Sequence, residues 1–391
     1  MGYQRRGLVL RLAVPILISA CLAQTIVPVV RIAASYRAVG AGMTATEILA
    51  LSSAFAILPV FVATSMGRYN DRHGAGRAAL AGAIAMVVAC IMFAIPIVSL
   101  PWLLIASAVL GLGQTLQITA IQGEISTFRS PQQRDRMVGN LMVWQAVGQV
   151  VAPLVLSVVS LAGTDMLVEN MIAVSLALSV LSILLGIVLF LNCARPVKTD
   201  AAPLPMRQIL SSPGLIWVMV TGALCVAVQD LTLVYMPVVG VEREISPSVI
   251  GLVLTLFALG QMTARVFYGT AMRKIGKVRL MVISVIVTGL AICLLATPVS
   301  AIGLGLGLSI SGIALGFAVT SSVSLTMQLA PATARATSLG LRLAINRAGQ
   351  FAMPLAAGMA ASLMGAGAVF LVTGALVTAS GMLRPKKLKM S

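Results

Sequence analysis

Charge is what this chain has least of. Of its 391 residues 9% are Asp, Glu, Lys or Arg, and only 10 are acidic. A soluble protein of this length carries roughly a quarter charged residues, so with 59% hydrophobic residues most of the surface has to face lipid. Histidine occurs once, as His73 inside a charged loop. That argues against a histidine-ligated metal site and against a clustered catalytic set, so the chain does not read as a membrane enzyme. The five cysteines (Cys21, Cys90, Cys193, Cys225, Cys293) form no spaced framework, and four lie inside apolar runs, so they read as packing residues rather than disulfide or metal partners. No Gly-x-x-x-x-Gly-Lys nucleotide loop is present, which argues against direct use of ATP. No cofactor is implied. No loop is long enough to be the output domain of a sensor.

What the chain has instead is apolar runs of membrane-crossing length, for which about 20 residues suffice. They lie near residues 8–33, 46–66, 78–98, 101–125, 138–161 and 168–192, and again near 215–238, 248–269, 279–298, 300–327, 337–362 and 365–383. Arg5-Arg6 before the first run mimics a signal peptide, but that run is too long and is followed by eleven more. The net charge of +17 would suit a nucleic-acid groove if the basic residues formed a patch. They sit in short clusters between runs, so it reads as a topology signal and an anionic-lipid contact. With the N-terminus in the cytoplasm, 21 of the 27 Lys and Arg residues fall inside. Arg31, Arg37 and Arg243 count as outside, and Arg265, Arg342 and Arg347 fall within spans. The outer loops hold Glu47, Asp165, Glu169, Glu242 and Glu244.

Between the second and third runs stands Gly67-Arg68-Tyr69-Asn70-Asp71-Arg72-His73-Gly74-Ala75-Gly76-Arg77. It returns 202 residues later as Gly269-Thr270-Ala271-Met272-Arg273-Lys274-Ile275-Gly276-Lys277-Val278-Arg279. The frame Gly-x-x-x-charged-basic-x-Gly is kept. The duplication extends further: Gly139, Gln145, Gly148, Gln149 and Pro153 recur as Gly340, Asn346, Gly349, Gln350 and Pro354. Half-chain repetition in this context signals two parallel repeats with a site at midplane between them. The expected organisation is an N-terminal six-helix bundle over 1–192, a proline-rich cytoplasmic linker over 193–214 and a C-terminal six-helix bundle over 215–391.

The loop frame resembles the one between the second and third spans of the major facilitator superfamily, and its weaker copy resembles the echo between the eighth and ninth. The resemblance implies an all-α membrane protein of twelve transmembrane helices in two pseudo-symmetric bundles, working by alternating access. It implies a gating role on the cytoplasmic side for Gly67, Asp71, Arg72, Gly74 and Arg77, holding the halves together in the outward-open form. Ala75 and Gly76 depart from the family's basic residues, and Arg273 replaces the aspartate in the second copy. Two further family features are missing: the fourth span has no arginine after Gly113-Gln114, and Ala152 replaces the second glycine of a Gly-x-x-x-Gly-Pro pattern in the fifth.

Ionisable residues within spans mark sites or pathways by default. Asp230 lies about 22 Å into the seventh run at 1.5 Å per residue. A carboxylate so far from water is costly to charge, as a proton-coupling group has to be; the alternative is a buried ion pair with an arginine. In the eleventh run Arg342, Asn346 and Gln350 share one face with Arg347 beside it. Gln145 and Gln149 answer them in the fifth, Gln114 and Gln117 in the fourth and Gln24 in the first. Together they suggest a hydrated cavity, although any one glutamine alone is better read as an interhelical hydrogen bond. Arg265 reads as a snorkelling or gating residue and Glu124 as a rim residue. The functional expectation is a monomeric carrier of a small organic solute in the cytoplasmic membrane, proton-coupled and oriented for export, with an anionic group held by Arg347 and Arg342. The other reading is a multidrug exporter for lipophilic cations, which would want a deep acid in the first half.

Overall fold

The structure is a computed structural model that describes residues 2–126, 131–161, 163, 165–193, 210–297, 300–331, 335–364 and 367–383. Twelve helices run through the described residues: α1 (Gly2–Gly40), α2 (Ala45–His73), α3 (Ala75–Ala94), α4 (Leu100–Ser126), α5 (Pro131–Leu161), α6 (Leu167–Asn192), α7 (Leu215–Glu242), α8 (Pro247–Ile275), α9 (Lys277–Leu294), α10 (Ala301–Leu329), α11 (Arg335–Met364) and α12 (Ala368–Met382). Ten of them, α1 to α10, are long and apolar enough to cross a membrane. Of the other two, α12 has 15 described residues, and α11 carries the polar set Arg342, Asn346, Arg347 and Gln350 that interrupts its apolar stretch. All-helical structure is what lipid demands, because a helix satisfies its backbone groups internally. Most of the linker expected over 193–214 lies outside the described residues.

Local chemistry sets the helix ends. Thr44 and Glu47 form a capping box at the start of α2: the Thr44 hydroxyl accepts from the Glu47 N–H, and Glu47 Oε2 accepts from the Thr44 N–H at 2.8 Å. Between α2 and α3 the chain turns on Gly74 at φ 87° and ψ 145°, and between α8 and α9 on Gly276 at φ 87° and ψ 148°. Both need a left-handed backbone that favours glycine. The loop frame seen twice in the sequence is therefore one conformation used twice.

The repeat also reaches the packing. A Cβ on Gly111 of α4 would sit 1.7 Å from the Phe55 carbonyl oxygen of α2, and one on Gly312 of α10 would sit 2.2 Å from that of Phe257 in α8. In the same way Gly148 of α5 lies against Cys21 of α1, and Gly349 of α11 against Ala223 of α7. Arg37, near the end of α1, donates to the carbonyls of Phe93 and Ile95 at the end of α3. Arg243, just after α7, donates to that of Leu295 just after α9 at 2.9 Å. A cation at a helix C-terminus meets orphan carbonyls and the negative end of the dipole. Arg37 and Arg243 thus cap helices at the end where the sequence places few basic residues; Arg37 also lies 3.8 Å from Glu169.

Within the first six helices α1 packs on α5 and α6, α2 and α3 on α4, and α3 on α6; α7 to α12 repeat this scheme. Across the two sets, α2 packs on α11, α5 on α8 and α1 on α7. The first two of these crossings are hydrogen-bonded towards the end of the molecule marked by Gly40. Thr46 donates to the Gly358 carbonyl at 3.0 Å, and Ser157 to that of Ser248 at 3.2 Å. Towards the opposite end, a Cβ on Gly139 or Gly340 would meet nothing within 4 Å. Among the described residues, the hydrogen bonds between the two sets lie at the Gly40 end and at the centre of the molecule.

One sequence expectation is corrected here. The first run does not stop at residue 33: α1, which already contains Pro28, continues to Gly40, so Arg31 lies well inside the helix and not outside. It is 5% exposed within the helix. The residues after it are apolar or small enough to continue the buried face, and neighbouring helices tolerate the proline's missing donor.

The packing predicts a matched pair of outcomes. Gly111→Ala and Gly312→Ala should each lower the thermal unfolding temperature of detergent-solubilised protein, by an overpacking cost of about 1–3 kcal/mol. Gly139→Ala and Gly340→Ala should leave it unchanged or slightly raised. Equal effects in all four would contradict the close-approach account.

Candidate functional site

The site is built where α1, α2, α4, α7 and α11 meet. Arg31 Nη1 of α1 lies 2.5 Å from Asp230 Oδ1 of α7, with side-chain exposures of 6% and 17%. Its Nη2 donates to Ser52 Oγ of α2 at 2.8 Å. The guanidinium also stacks over the ring of Phe55, 4.3 Å from the centroid. Charge pairing, hydrogen bonding and a π face together compensate a cation that lipid would not solvate. Removing one member of such a buried pair strands the other, at a cost of about 3–5 kcal/mol.

Arg347 of α11 also lies over the same ring, 5.6 Å from the centroid. It donates to Gln350 Oε1 at 3.0 Å and across to Gln114 Oε1 of α4 at 3.1 Å. These are neutral acceptors, so the charge of Arg347 has no carboxylate bonded to it. Arg31 and Arg347 share one ring and so lie within about 10 Å; at an effective dielectric near 20 two such charges repel by at least about 1.7 kcal/mol. The cluster holds more positive than negative charge. Two of its polar atoms (Asp230 Oδ2 and Arg347 Nε), and Asn346 Oδ1 and Arg342 Nη2 elsewhere on α11, are buried without a hydrogen-bond partner among the described residues. Each unmade bond of this kind is costly, which makes the region receptive to a polar solute or a proton.

The candidates read from the sequence separate into groups. Arg347, Gln350 and Gln114 are bonded together. Asp230 does have an arginine partner, but it is Arg31 rather than Arg347 or Arg342. Arg342 turns away from the face it was expected to share: its Nε approaches Ser322 Oγ of α10 at 3.4 Å, beside Gly222 of α7. The reason is helical spacing, since Arg347 and Gln350 at i, i+3 point together while five residues carry Arg342 to another side. Gln117 also leaves the group, donating to Ser182 of α6 at 2.9 Å.

Gln24, Gln145 and Gln149 are half-buried along the seam of α1 and α5, where a Cβ on Gly148 would come 2.9 Å from Gln24 Cβ. Among the described residues no hydrogen bond joins them to the arginine cluster. Asn346 is 6% exposed. Arg265 is half-buried on α8, next to Ala264, which packs against Gly316 of α10. Glu124 is buried near the end of α4, with Asn70 beside its neighbour Gly123. Of the loop residues, Gly74 makes the turn and Arg77 is exposed; the side-chain environments of Gly67, Asp71 and Arg72 lie outside the described residues.

Arg31, Ser52, Phe55 and Ser322 were not singled out from the sequence. Arg31 had a signal: it stands in Ile26-Val27-Pro28-Val29-Val30-Arg31-Ile32-Ala33-Ala34, where apolar residues flank it on both sides. Its repeat-equivalent position in α7 lies about one turn from Asp230, so the two helices bring opposite charges to the same depth. Ser52 and Phe55 carry no signal beyond their spacing on one helix face.

Comparison with known proteins gives the lineage. No curated protein sequence matches. Among solved structures the chain is similar to the nucleoside transporter NupG, at 16% identity over 95% of this chain and 97% of that one, with a TM-score of 0.72. It is similar to a D-xylose-proton symporter at 13% identity, over 98% of both chains and a TM-score of 0.78. It is also similar to the inward-open xylose transporter XylE from E. coli, at 13% identity over 98% and 97% with a TM-score of 0.76. At these identities the likeness speaks to the fold alone. The family profile of the Major Facilitator Superfamily matches residues 13–244 and 229–387. This chain therefore belongs to the Major Facilitator Superfamily, a family of membrane transporters and not of enzymes.

Proposed function

We propose that the chain is a twelve-span, monomeric secondary transporter of a cytoplasmic membrane, moving a small organic anion by alternating access and coupling it to protons. The observation that carries the reading is the charge imbalance of the buried cluster. Asp230 is occupied by Arg31, while Arg347 bonds only neutral amides and Arg342 a hydroxyl. An anionic group reaching Arg347 would gain charge-assisted hydrogen bonds that Gln114 and Gln350 supply only weakly. Arg342, Asn346, Gln145, Gln149 and Gln24 are assigned to the solute's path, and Arg265 to its entrance.

The two-bundle organisation, with helices 1–192 and 215–391 joined by a cytoplasmic linker, is supported by the repeated contacts of α1–α6 in α7–α12. Placing the basic loops in the cytoplasm makes the Gly40 end the outer one. The arrangement is then closed outside, one of the two states that alternating access requires. The loop residues Gly67, Asp71, Arg72, Gly74 and Arg77 would act when the inner side closes. Export is the direction proposed; a state closed on the outer side is one that importers and exporters share.

Proton coupling is assigned to Asp230. It is the carboxylate of the buried cluster, and the helices it joins, α1 and α7, come from opposite sets. The multidrug reading for lipophilic cations wants an unoccupied carboxylate, whereas the carboxylate of this cluster already has a cation bonded to it. The anion reading is the better supported.

Two outcomes follow in reconstituted vesicles with an imposed pH gradient and a panel of anionic and neutral solutes. Arg347→Lys keeps charge but loses the planar fork. Affinity for the transported anion should fall about tenfold or more, the loss of one charge-assisted bond, while a neutral solute binds as before. Equal loss for both classes would sink the anion assignment. Asp230→Asn should abolish accumulation driven by the gradient yet spare solute exchange, and Arg31→Gln with Asp230→Asn should restore more protein stability than either change alone. Full concentrative transport by Asp230→Asn would move the coupling group elsewhere, with Glu124 next to be examined.

A further inference from the structure

The ring of Phe55 is 1% exposed and carries two guanidiniums, one from each set of six helices. We propose that Phe55 is a positioning residue: its π faces hold Arg31 and Arg347 against their mutual repulsion, joining the ion pair and the anion-holding arginine into one unit that keeps the Gly40 end closed. The proposal rests on the reading of Arg347 as the anion-holding group and adds the element that ties it to Arg31.

Three observations support it. The backbone of Phe55 cannot drift, because Gly111 of α4 lies so close to its carbonyl that a Cβ there would be 1.7 Å away. The ring is thus fixed to the first set of helices, while Arg347 comes from the second. Next, Arg31 is bonded to Asp230 and Ser52, and Arg347 to Gln350 and Gln114, so neither guanidinium needs the ring to complete an otherwise empty set of partners. The ring's contribution is to shield two like charges that these bonds bring close together. Finally, the repeat supplies an internal comparison. Phe257 occupies the equivalent place in α8, 3% exposed against Gly312. Among the described residues no guanidinium lies over it. Packing against a glycine accounts for a phenylalanine at both positions; cation binding is particular to Phe55.

The test uses the full-length protein in lipid nanodiscs without solute, spin-labelled at the exposed residues Ala41 and Leu363, which lie at the Gly40 end of opposite sets. Double electron–electron resonance reads the ratio of closed to open populations at that end. Phe55→Leu removes the ring, and 3,4,5-trifluorophenylalanine at position 55 keeps its shape but flattens its quadrupole. Both should shift the ratio towards open by about fivefold to thirtyfold, the range that one partly to fully desolvated cation–π contact spans. Phe257→Leu, which removes similar packing without a cation, should shift it by less than about twofold. A trifluorinated ring that behaves like the parent would overturn the proposal, as would equal shifts for Phe55→Leu and Phe257→Leu. If Phe55→Leu does not fold, the fluorinated protein decides alone. Because no solute is present, failure here leaves the anion assignment standing, and failure of the anion transport assay leaves this result standing.

Discussion

A guanidinium placed inside a membrane helix has to find polar partners within the protein, and for Arg31 that partner is Asp230, which joins α1 to α7. Arg31 and Asp230 are far apart in sequence but bonded in the structure. Lipid offers neither of them an alternative partner. The rest of the centre is arranged around that bond: Ser52 takes the second arm of the guanidinium, Phe55 lies beneath it, and Arg347 shares the ring. One acid among several arginines leaves a positive remainder, and the proposed chemistry is built on this remainder.

The closeness of the helices that carry these groups depends on small residues. Gly111 and Gly148 in one half of the chain, and Gly312 and Gly349 in the other, allow backbone-to-backbone approach at the α2–α4, α1–α5, α8–α10 and α7–α11 seams. Helix association in lipid lacks a hydrophobic driving force between helices and depends on this kind of packing. The same geometry is used at corresponding places in both halves of the chain. The closed seams, at Thr46 with Gly358 and Ser157 with Ser248, bond hydroxyls to backbone carbonyls. Individually modest bonds of this kind can be exchanged without the cost of parting buried charges, which suits a seam that opens and closes.

Much of the fold was legible in the sequence because its signals are long. Apolar runs, the repeated Gly-x-x-x-charged-basic-x-Gly frame and the echo of the fifth run in the eleventh all involve many residues at once. The site was legible in part. Asp230, Arg347, Gln350 and Gln114 could be read singly, since each is a polar residue that lipid would reject. Their pairing could not be, because which arginine meets an acid depends on helix rotation and crossing, set by glycines elsewhere. Arg31 shows the limit most clearly. A basic residue near the end of an apolar run reads as a loop residue until α1 is seen to continue to Gly40. Arg342 shows the converse, for a shared face at i, i+4, i+8 drifts around the helix, and its first member turns to Ser322.

The central claim is that the Arg31–Asp230 pair holds the Gly40 end closed. It is tested by cysteine labelling in a background whose five native cysteines are replaced, with single cysteines introduced at Leu49, buried against Gly358 at the hydrogen-bonded seam, and at Gly340, exposed towards the opposite end. The account predicts that Arg31→Gln and Asp230→Asn each make Leu49→Cys more reactive and Gly340→Cys less reactive than in the protein that keeps the pair. Labelling of both cysteines that is unchanged in the two variants would contradict it.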